Sequence, residues 1–274
     1  MKIPNSKLST TLIGSAILLV QTVSAQIIAE DNFEDAVYST MDFGDNGGSG
    51  LGGLTYLEGS DGGIFAETGG RVISGTRSLG IWAGDASSGG DQAVGRSLDT
   101  PTVTGTISLD LSFDLPNGST TFPAHFAGFN LQSSLPSPGT GAFGINELLS
   151  VGVSSSTGGN SIHIGGSAPN SIDLGSPILG SIVSLEIDFD AAAGTYTVGA
   201  KLNSSTTFTT ASGNLQASST QVGAIGWGNF NDSGSDTIDL ITDNLSIVPE
   251  PASYAMIGGL LSLGMVLLRR RIQK

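Results

Sequence analysis

The chain reads as an all-β protein, a sandwich of two antiparallel sheets over residues 26–247, and three observations predict it. Short apolar runs recur at intervals of roughly 8 to 15 residues with no helical period between them. Residues 107–115 alternate without a fault, with Ile107, Leu109, Leu111, Phe113 and Leu115 on one side and Ser108, Asp110, Ser112 and Asp114 on the other. Residues 183–202 fold back on themselves in a register that sets apolar residues against apolar residues throughout. One open sheet would leave a face wet, so a second must cover it. Composition agrees: 41 glycines and 12% charged residues suit strands and turns rather than helices.

Residues 30–41 start as an edge strand or extended lead-in, and the Gly-Asp-Asn-Gly-Gly-Ser-Gly run at 44–50 is a loop with too few side chains to pack. Short strands are expected at 54–57, 64–67, 71–74 and 78–83, set apart by Gly pairs and Asp-Gly, with another loop at 84–91. A one-residue slip of 107–115 would bury its aspartates, which fixes its register. Further strands are expected at 121–133 and 144–153, the second with a single helical turn at 146–149. Pro136 and Pro138 keep the stretch between them in a loop. The 183–202 hairpin pairs Phe189 with Tyr196, Ile187 with Val198, Leu185 with Ala200 and Val183 with Leu202 across the connection 191–194. Each such pair is worth about 0.2 to 1 kcal/mol. Strands at 206–210, 222–227 and 238–247 complete the set.

The two ends have a different character. Lys2 and Lys7, the apolar run 12–20, and Val23, Ser24 and Ala25 before Gln26 make the three regions of a secretory signal peptide, residues 1–25, with cleavage between Ala25 and Gln26. At the other end, 248–274 form one segment. Val248, Pro249, Glu250 and Pro251 precede residues 252–268, which carry no charge and only Ser253, Tyr254 and Ser262 as polar interruptions. As a transmembrane helix this stretch is about 26 Å long, at the short end of what crosses a hydrocarbon core of roughly 30 Å. Arg269, Arg270, Arg271 and Lys274 would hold its end on the cytoplasmic side and leave the sandwich outside. Each proline fixes its φ and removes a donor, so 248–251 is expected to join neither a strand nor the helix.

Six of the ten basic residues lie in these end segments, so four cations face 23 of the 24 carboxylates in between, a net charge of −19. That charge repels phosphate backbones and anionic lipid and argues against nucleic-acid binding. It favours cations, Ca²⁺ among them. Without cysteine there is no disulfide staple, no thiol nucleophile and no Cys-ligated zinc. The chain has neither a Gly-x-Ser-x-Gly elbow nor a Walker-type phosphate loop.

Val-Pro-Glu-Pro, a short apolar stretch and an arginine cluster at the end of the chain resemble the PEP-CTERM sorting signal of Gram-negative bacteria. The resemblance covers about a tenth of the chain. It implies that an exosortase recognises Pro249, Glu250 and Pro251 and removes or transfers the tail, in an organism that makes exopolysaccharide. Asp31-Asn32-Phe33-Glu34 near the start, the 183–202 hairpin and Asp243-Asn244 before the tail resemble in pattern the concanavalin-like jelly roll. That likeness implies that the first and last strands lie side by side.

Glu186, Asp188 and Asp190 fall on one face of one strand, a spacing at which an acid and a nucleophile can flank a glycosidic bond. The row resembles the Glu-x-Asp-x-Glu motif of family 16 glycoside hydrolases, with Glu186 in the nucleophile position. Asp190 is one methylene shorter than the expected acid and the tryptophans that would stack on sugar rings upstream of the motif are missing, so a solvated strand face is the simpler reading. Asn231, Asp232 and Asp236, in the oxygen-rich stretch 229–236, and the stretch 42–46 could hold Ca²⁺ or simply make Asx-rich turns. His125 and His163 are far apart, which gives no zinc motif. Trp82 and Trp227 could form a platform for sugar rings or fill the core.

These readings add up to an exported, non-enzymatic protein: a single-pass membrane precursor processed by signal peptidase and exosortase, then placed at the cell surface or in the matrix beside exopolysaccharide. A glycan-degrading enzyme and a calcium-dependent lectin or adhesin on the same sandwich are the alternatives.

Overall fold

The computed structural model describes residues 26–59, 62–83, 90–114, 124–138, 146–217, 219–233 and 238–250. The expected signal peptide and its cleavage residue Ala25, Pro251, the apolar stretch 252–268, Arg269, Arg270, Arg271 and Asp236 lie outside the described residues. Among those described, no helix is long and apolar enough to cross a membrane. Ile27–Pro249 forms one compact unit.

Its strands are β1 (Ala29–Asp31), β2 (Thr55–Gly59), β3 (Gly62–Glu67), β4 (Ser78–Ala83), β5 (Asp91–Thr102), β6 (Thr104–Asp114), β7 (Ala124–Gln132) and β8 (Glu147–Ser154). They continue as β9 (Ser161–Gly165), β10 (Pro169–Asp173), β11 (Ile182–Asp190), β12 (Thr195–Leu202), β13 (Thr209–Asn214), β14 (Val222–Ser233) and β15 (Asp239–Pro249). A 3₁₀ turn at Ala36–Ser39 is the helical element among the described residues. An eight-stranded sheet runs β13-β12-β11-β6-β15-β4-β3, with β1 also on β15, and a seven-stranded sheet runs β10-β9-β8-β7-β14-β5-β2. Every pairing is antiparallel. The fold is therefore an all-β, two-sheet antiparallel sandwich, and its first and last strands are neighbours, Ala29 opposite Ile247.

The core lies between the inner faces. Ile107, Leu109, Leu111 and Phe113 of β6 and Val183, Leu185, Ile187 and Phe189 of β11 are buried from one sheet. Phe129 and Leu131 of β7, Val151 and Val153 of β8, and Trp227 of β14 are buried from the other. The hairpin forms with the expected pairs, Phe189 with Tyr196 through Val183 with Leu202. β6 alternates in burial along its whole length, so its aspartates stay outside as its register requires.

Several expectations are corrected. β5, β9 and β10 occupy stretches that sequence reading assigned to no strand. β5 escapes the pattern because it buries Gln92 and Arg96 on the same face as Val94 and Leu98 while Gly95 and Ser97 take the other. Residues 71–74 are not a strand. They follow Asp243, whose Oδ2 accepts from the Ser74 amide (3.1 Å) and from the hydroxyls of Ser74 and Ser78 (3.0 Å each). The helical turn at 146–149 is absent: Asn146 sits at φ 66° and β8 begins directly after it. β13 starts later than 206–210, and β14 runs on past 227. The expected free collar is partly inside the sheet, since Val248 pairs with Thr106 and Pro249 with Gly105. Proline is tolerated there as the last rung of its strand.

One buried network joins the sheets. Arg96 on β5 and Asp31 on β1 form an ion pair with side chains 0% and 1% exposed. Arg96 also donates to Gly52 O (2.6 Å), Tyr38 Oη (2.9 Å), Asn46 Oδ1 (2.9 Å) and Gly47 O (2.8 Å). Asp31 accepts from the Phe33 amide (2.7 Å) and the Tyr38 hydroxyl (2.5 Å). Burial pushes the Tyr38 phenol far above its ordinary range. Phe33 holds φ 55°, costly for a bulky residue, and its ring packs edge-on against Trp227. Removing the cation alone strands a buried carboxylate, so Arg96→Met is expected to lower the stability of the full-length protein by about 3 to 5 kcal/mol in urea unfolding. A loss under about 1 kcal/mol would mean that the pair is not what closes the sandwich.

Candidate functional site

Glu186, Asp188 and Asp190 do share one face, the outer face of the eight-stranded sheet, and two of the three are engaged locally. Asp188 accepts from Thr106 Oγ1 (2.6 Å) on β6, and Asp190 accepts from the Ala193 amide (2.8 Å), which closes the hairpin turn. Glu186 is exposed opposite Gly199 and Ser108, and the Phe208 ring lies over Gly199.

The two tryptophans part company. Trp227 is 0% exposed on the inner face of β14, between Phe33 and Phe129, so its indole is core and closed to a sugar. Trp82 is 39% exposed on the outer face of the eight-stranded sheet. Asn231 and Asp232 belong to β14 rather than to a loop. Asn229, nearby in the same strand, turns inward and donates to Ile81 O (2.9 Å) and Ile238 O (2.5 Å). Among the described residues no three His, Asp or Glu side chains are grouped to hold a metal.

The residues of the two terminal motifs are structural pins. Glu34 accepts from the Thr76 amide (2.7 Å) and hydroxyl (2.6 Å) and the Arg77 amide (2.9 Å), contacts that lower its pKa. Asn244, at φ 54°, donates to Asp110 (2.8 Å). A cleft of about 490 Å³ lies beside them, lined in part by Glu30, Asp31, Asp35 and Asn244. Asp31 is already paired with Arg96, and Asp35 accepts from the Gly48 amide (2.7 Å).

A site that sequence reading missed lies on the outer face of the seven-stranded sheet. Residues paired across antiparallel strands point the same way, so the register stacks this face in rungs. The first rung carries Phe230 of β14 and Phe126 of β7, stacked at 6.5 Å, with His163 edge-on to Phe126 at 6.2 Å. The second is Ala93, Gly228, Gly128, Gly152 and His163; before His163 it carries nothing larger than a methyl, and Leu57, Phe126 and Phe230 close over Ala93. A Cβ at Gly128 would meet Val151 O at 2.4 Å, and one at Gly152 would meet Ala127 O at 2.1 Å, so close strand approach keeps both positions glycine. The third holds Gly226, Asn130, Ser150 and Gly165, and the fourth Ala224, Gln132 and Glu147.

The polar rungs are tightly held. Glu147 accepts from Gln216, whose amide also reaches Gly165 O (3.2 Å), and it is hydrogen-bonded to Ser150 and Asn130. Burial raises the Glu147 carboxyl, and these hydrogen bonds only partly oppose it. Gln132 is 0% exposed and neither atom of its amide meets a partner among the described residues, at a cost of about 1 to 3 kcal/mol for each unmet group. Burial lowers the His163 pKa, which favours the neutral ring. The sequence signal was present in 128–132, Gly-Phe-Asn-Leu-Gln, where Phe129 and Leu131 go inward and leave amides outside.

Because the Glu147 pKa is raised in the fold, the folded state holds that proton more tightly than the unfolded chain. Its contribution to stability is present below the ordinary carboxylate range and is lost as pH rises through the raised value. Glu147→Gln, which imitates the neutral acid, is expected to melt higher than the parent at about pH 7 and level with it at about pH 4. Thermal melts at the two pH values check this.

No protein-family model and no curated protein matches the chain. Among solved structures it is similar to peanut lectin, with 13% identity, 81% of this chain and 98% of that chain covered and a TM-score of 0.47. Lectin II from Ulex europaeus gives 12% identity, 71% and 97% coverage and a TM-score of 0.42. A sialidase gives 9% identity and a TM-score of 0.47, with 72% of this chain but 17% of that chain covered.

Proposed function

We propose that this chain is an exported, non-enzymatic polysaccharide-binding protein that takes its ligand on the outer face of the seven-stranded sheet. One observation carries the reading: the half-buried aromatic rung and the polar third rung, over which the exposed Gln216 reaches Gly165 O, lie in succession on that face. The first and third are four residues apart along the strands, about 13 Å at ~3.4 Å per residue. An extended glycan lying along the strands would rest apolar C–H faces on the half-buried Phe126 and Phe230 and turn hydroxyls toward the exposed Gln216, whose amide can both donate and accept, and toward Glu147, which is held over the buried Asn130 and Ser150. The hydrogen bonds of Asp188 and Asp190 favour a structural use of the Glu186 row over hydrolysis.

The finer part of the proposal rests on sequence. Residues 1–25 direct export, and Pro249, Glu250, Pro251 with the basic end Arg269, Arg270 and Arg271 mark a PEP-CTERM exosortase substrate with a concanavalin-like jelly roll, placed at the surface of a Gram-negative cell beside exopolysaccharide. Intact-mass measurement on protein from the native host should find both ends removed. A mature form that retains Lys274 would make the tail a permanent anchor.

The binding test is electrophoresis of the full-length protein in gels cast with soluble mixed-linkage β-glucan, dextran or galactomannan. Retardation by at least one is expected, with Phe126→Ala and Gln216→Ala each weakening it about tenfold, the equivalent of ~1.4 kcal/mol. No retardation by any of the three, or retardation unchanged in both variants, would remove this face from the proposal. Release of reducing sugar that Glu186→Gln abolishes would establish the enzyme instead.

A further inference from the structure

Trp82 lies on the other sheet and has no part in the face just described. On β4 it is flanked by Gly63 of β3 and Asp239 of β15, and Asp239 in turn pairs with Asp114 of β6. All four positions point outward. A Cβ at Gly63 would lie 2.9 Å from Trp82 Nε1, so the indole leans over bare backbone and remains 39% exposed. Two residues along, Phe65 covers Gly80 in the same manner, with the Arg71 guanidinium 5.5 Å from its ring centre.

The charges beside Trp82 are unequal. Arg71 is shared by three carboxylates: Glu67 at 2.6 Å, Asp239 in direct contact and Asp114 at 3.5 Å. The Glu67 and Asp239 side chains are nearly closed off, whereas Asp114 is 37% exposed. The uncompensated negative charge therefore meets solvent at Asp114, two strands from the indole, or roughly 10 Å at ~4.8 Å per strand. Arg71 and Asp239 fill the space between them, so a single cation cannot bridge the two. A chain that carries both sugar rings and ammonium groups can meet the ring face with one unit and the carboxylate with another.

We propose that Trp82 and Asp114 form a second binding platform for a polysaccharide bearing free amino groups, with one sugar ring on the indole and the ammonium of a further unit on Asp114. The platform is one ring wide and set among carboxylates. A protein partner would need about 800 Å² from each side and a core poor in Asp and Glu. Nucleic acid and anionic glycans are repelled by the surplus charge. A monomer could then hold two glycan chains, one on each outer face.

The chain has two tryptophans. Trp227 is sealed in the core, so acrylamide quenching of the full-length protein reports on Trp82. A glucosamine hexamer is expected to protect Trp82 saturably, and the fully N-acetylated hexamer to need about tenfold more for the same protection. Asp114→Asn should raise the half-protecting concentration of the glucosamine hexamer about fivefold, and Phe126→Ala should leave it unchanged. Absence of protection, or equal protection by the two hexamers, overturns the platform. Poly-lysine protecting at the same amine concentration as the hexamer would overturn the saccharide assignment. Because the β-glucan gels report on Phe126 and quenching reports on Trp82, failure of either reading leaves the other standing.

Discussion

The fold depends on a single charge placed where charge is expensive. Arg96 projects from one sheet into the space between the two, and the carboxylate that neutralises it comes from the short first strand of the other. A guanidinium in that position must have all its donors met, and the chain meets them with backbone carbonyls of the glycine-rich stretch at 46–52 and with Tyr38. A run of sequence with almost nothing to pack is thereby given one conformation. Gly47 and Gly48 are glycines for the same reason: a Cβ at either would run into Tyr38 or the Glu30 carbonyl.

The two outer faces follow from what each strand must put inside. On β14 and β7 the inner positions take Trp227 and Phe129, and the outer ones are left with Gly226, Gly228 and Gly128. On β6 and β11 the inner positions take aliphatic residues and the outer ones are left with Ser, Thr, Asp and Glu. One face is thus poor in charge, and the other is anionic with one exposed indole at its edge. The difference in chemistry needs no moving part, since both faces are carried on paired strands.

Much of the fold was legible because strict alternation has one physical meaning. Residues 107–114 and the 183–202 hairpin could be registered from sequence since any slip puts carboxylates in the core. β5 was not legible because its inward set includes Gln92 and Arg96, and a pattern read by hydropathy cannot know that Asp31, more than sixty residues earlier, will pay for the arginine. The prolines around Glu250 suggested a free collar, yet proline forbids only a donated bond, and a terminal rung at Pro249 does without it. For the site, the glycosidase-like row at Glu186 was visible as spacing alone, whereas Asn130, Gln132 and Glu147 become neighbours only through the register of β7 on β8. Trp82 and Trp227 looked equivalent, and the clue lay beside them. Glycines on both sides of Trp227 mark an outer face stripped bare, hence an indole turned inward, while Trp82 follows Ile81, which takes the core position itself.

The last strand has partners on both edges: β6 along one, and β4 followed by β1 along the other. If the molecule is held at its C-terminal end and pulled through a ligand bound to another strand, the load runs along β15 and strains its ladders together in shear, not one rung after another. A protein gripped by the end of that strand would resist tugging better than one whose last strand could peel away rung by rung. The slender N-terminal strand, lying against the same rungs, would help to bear the tension.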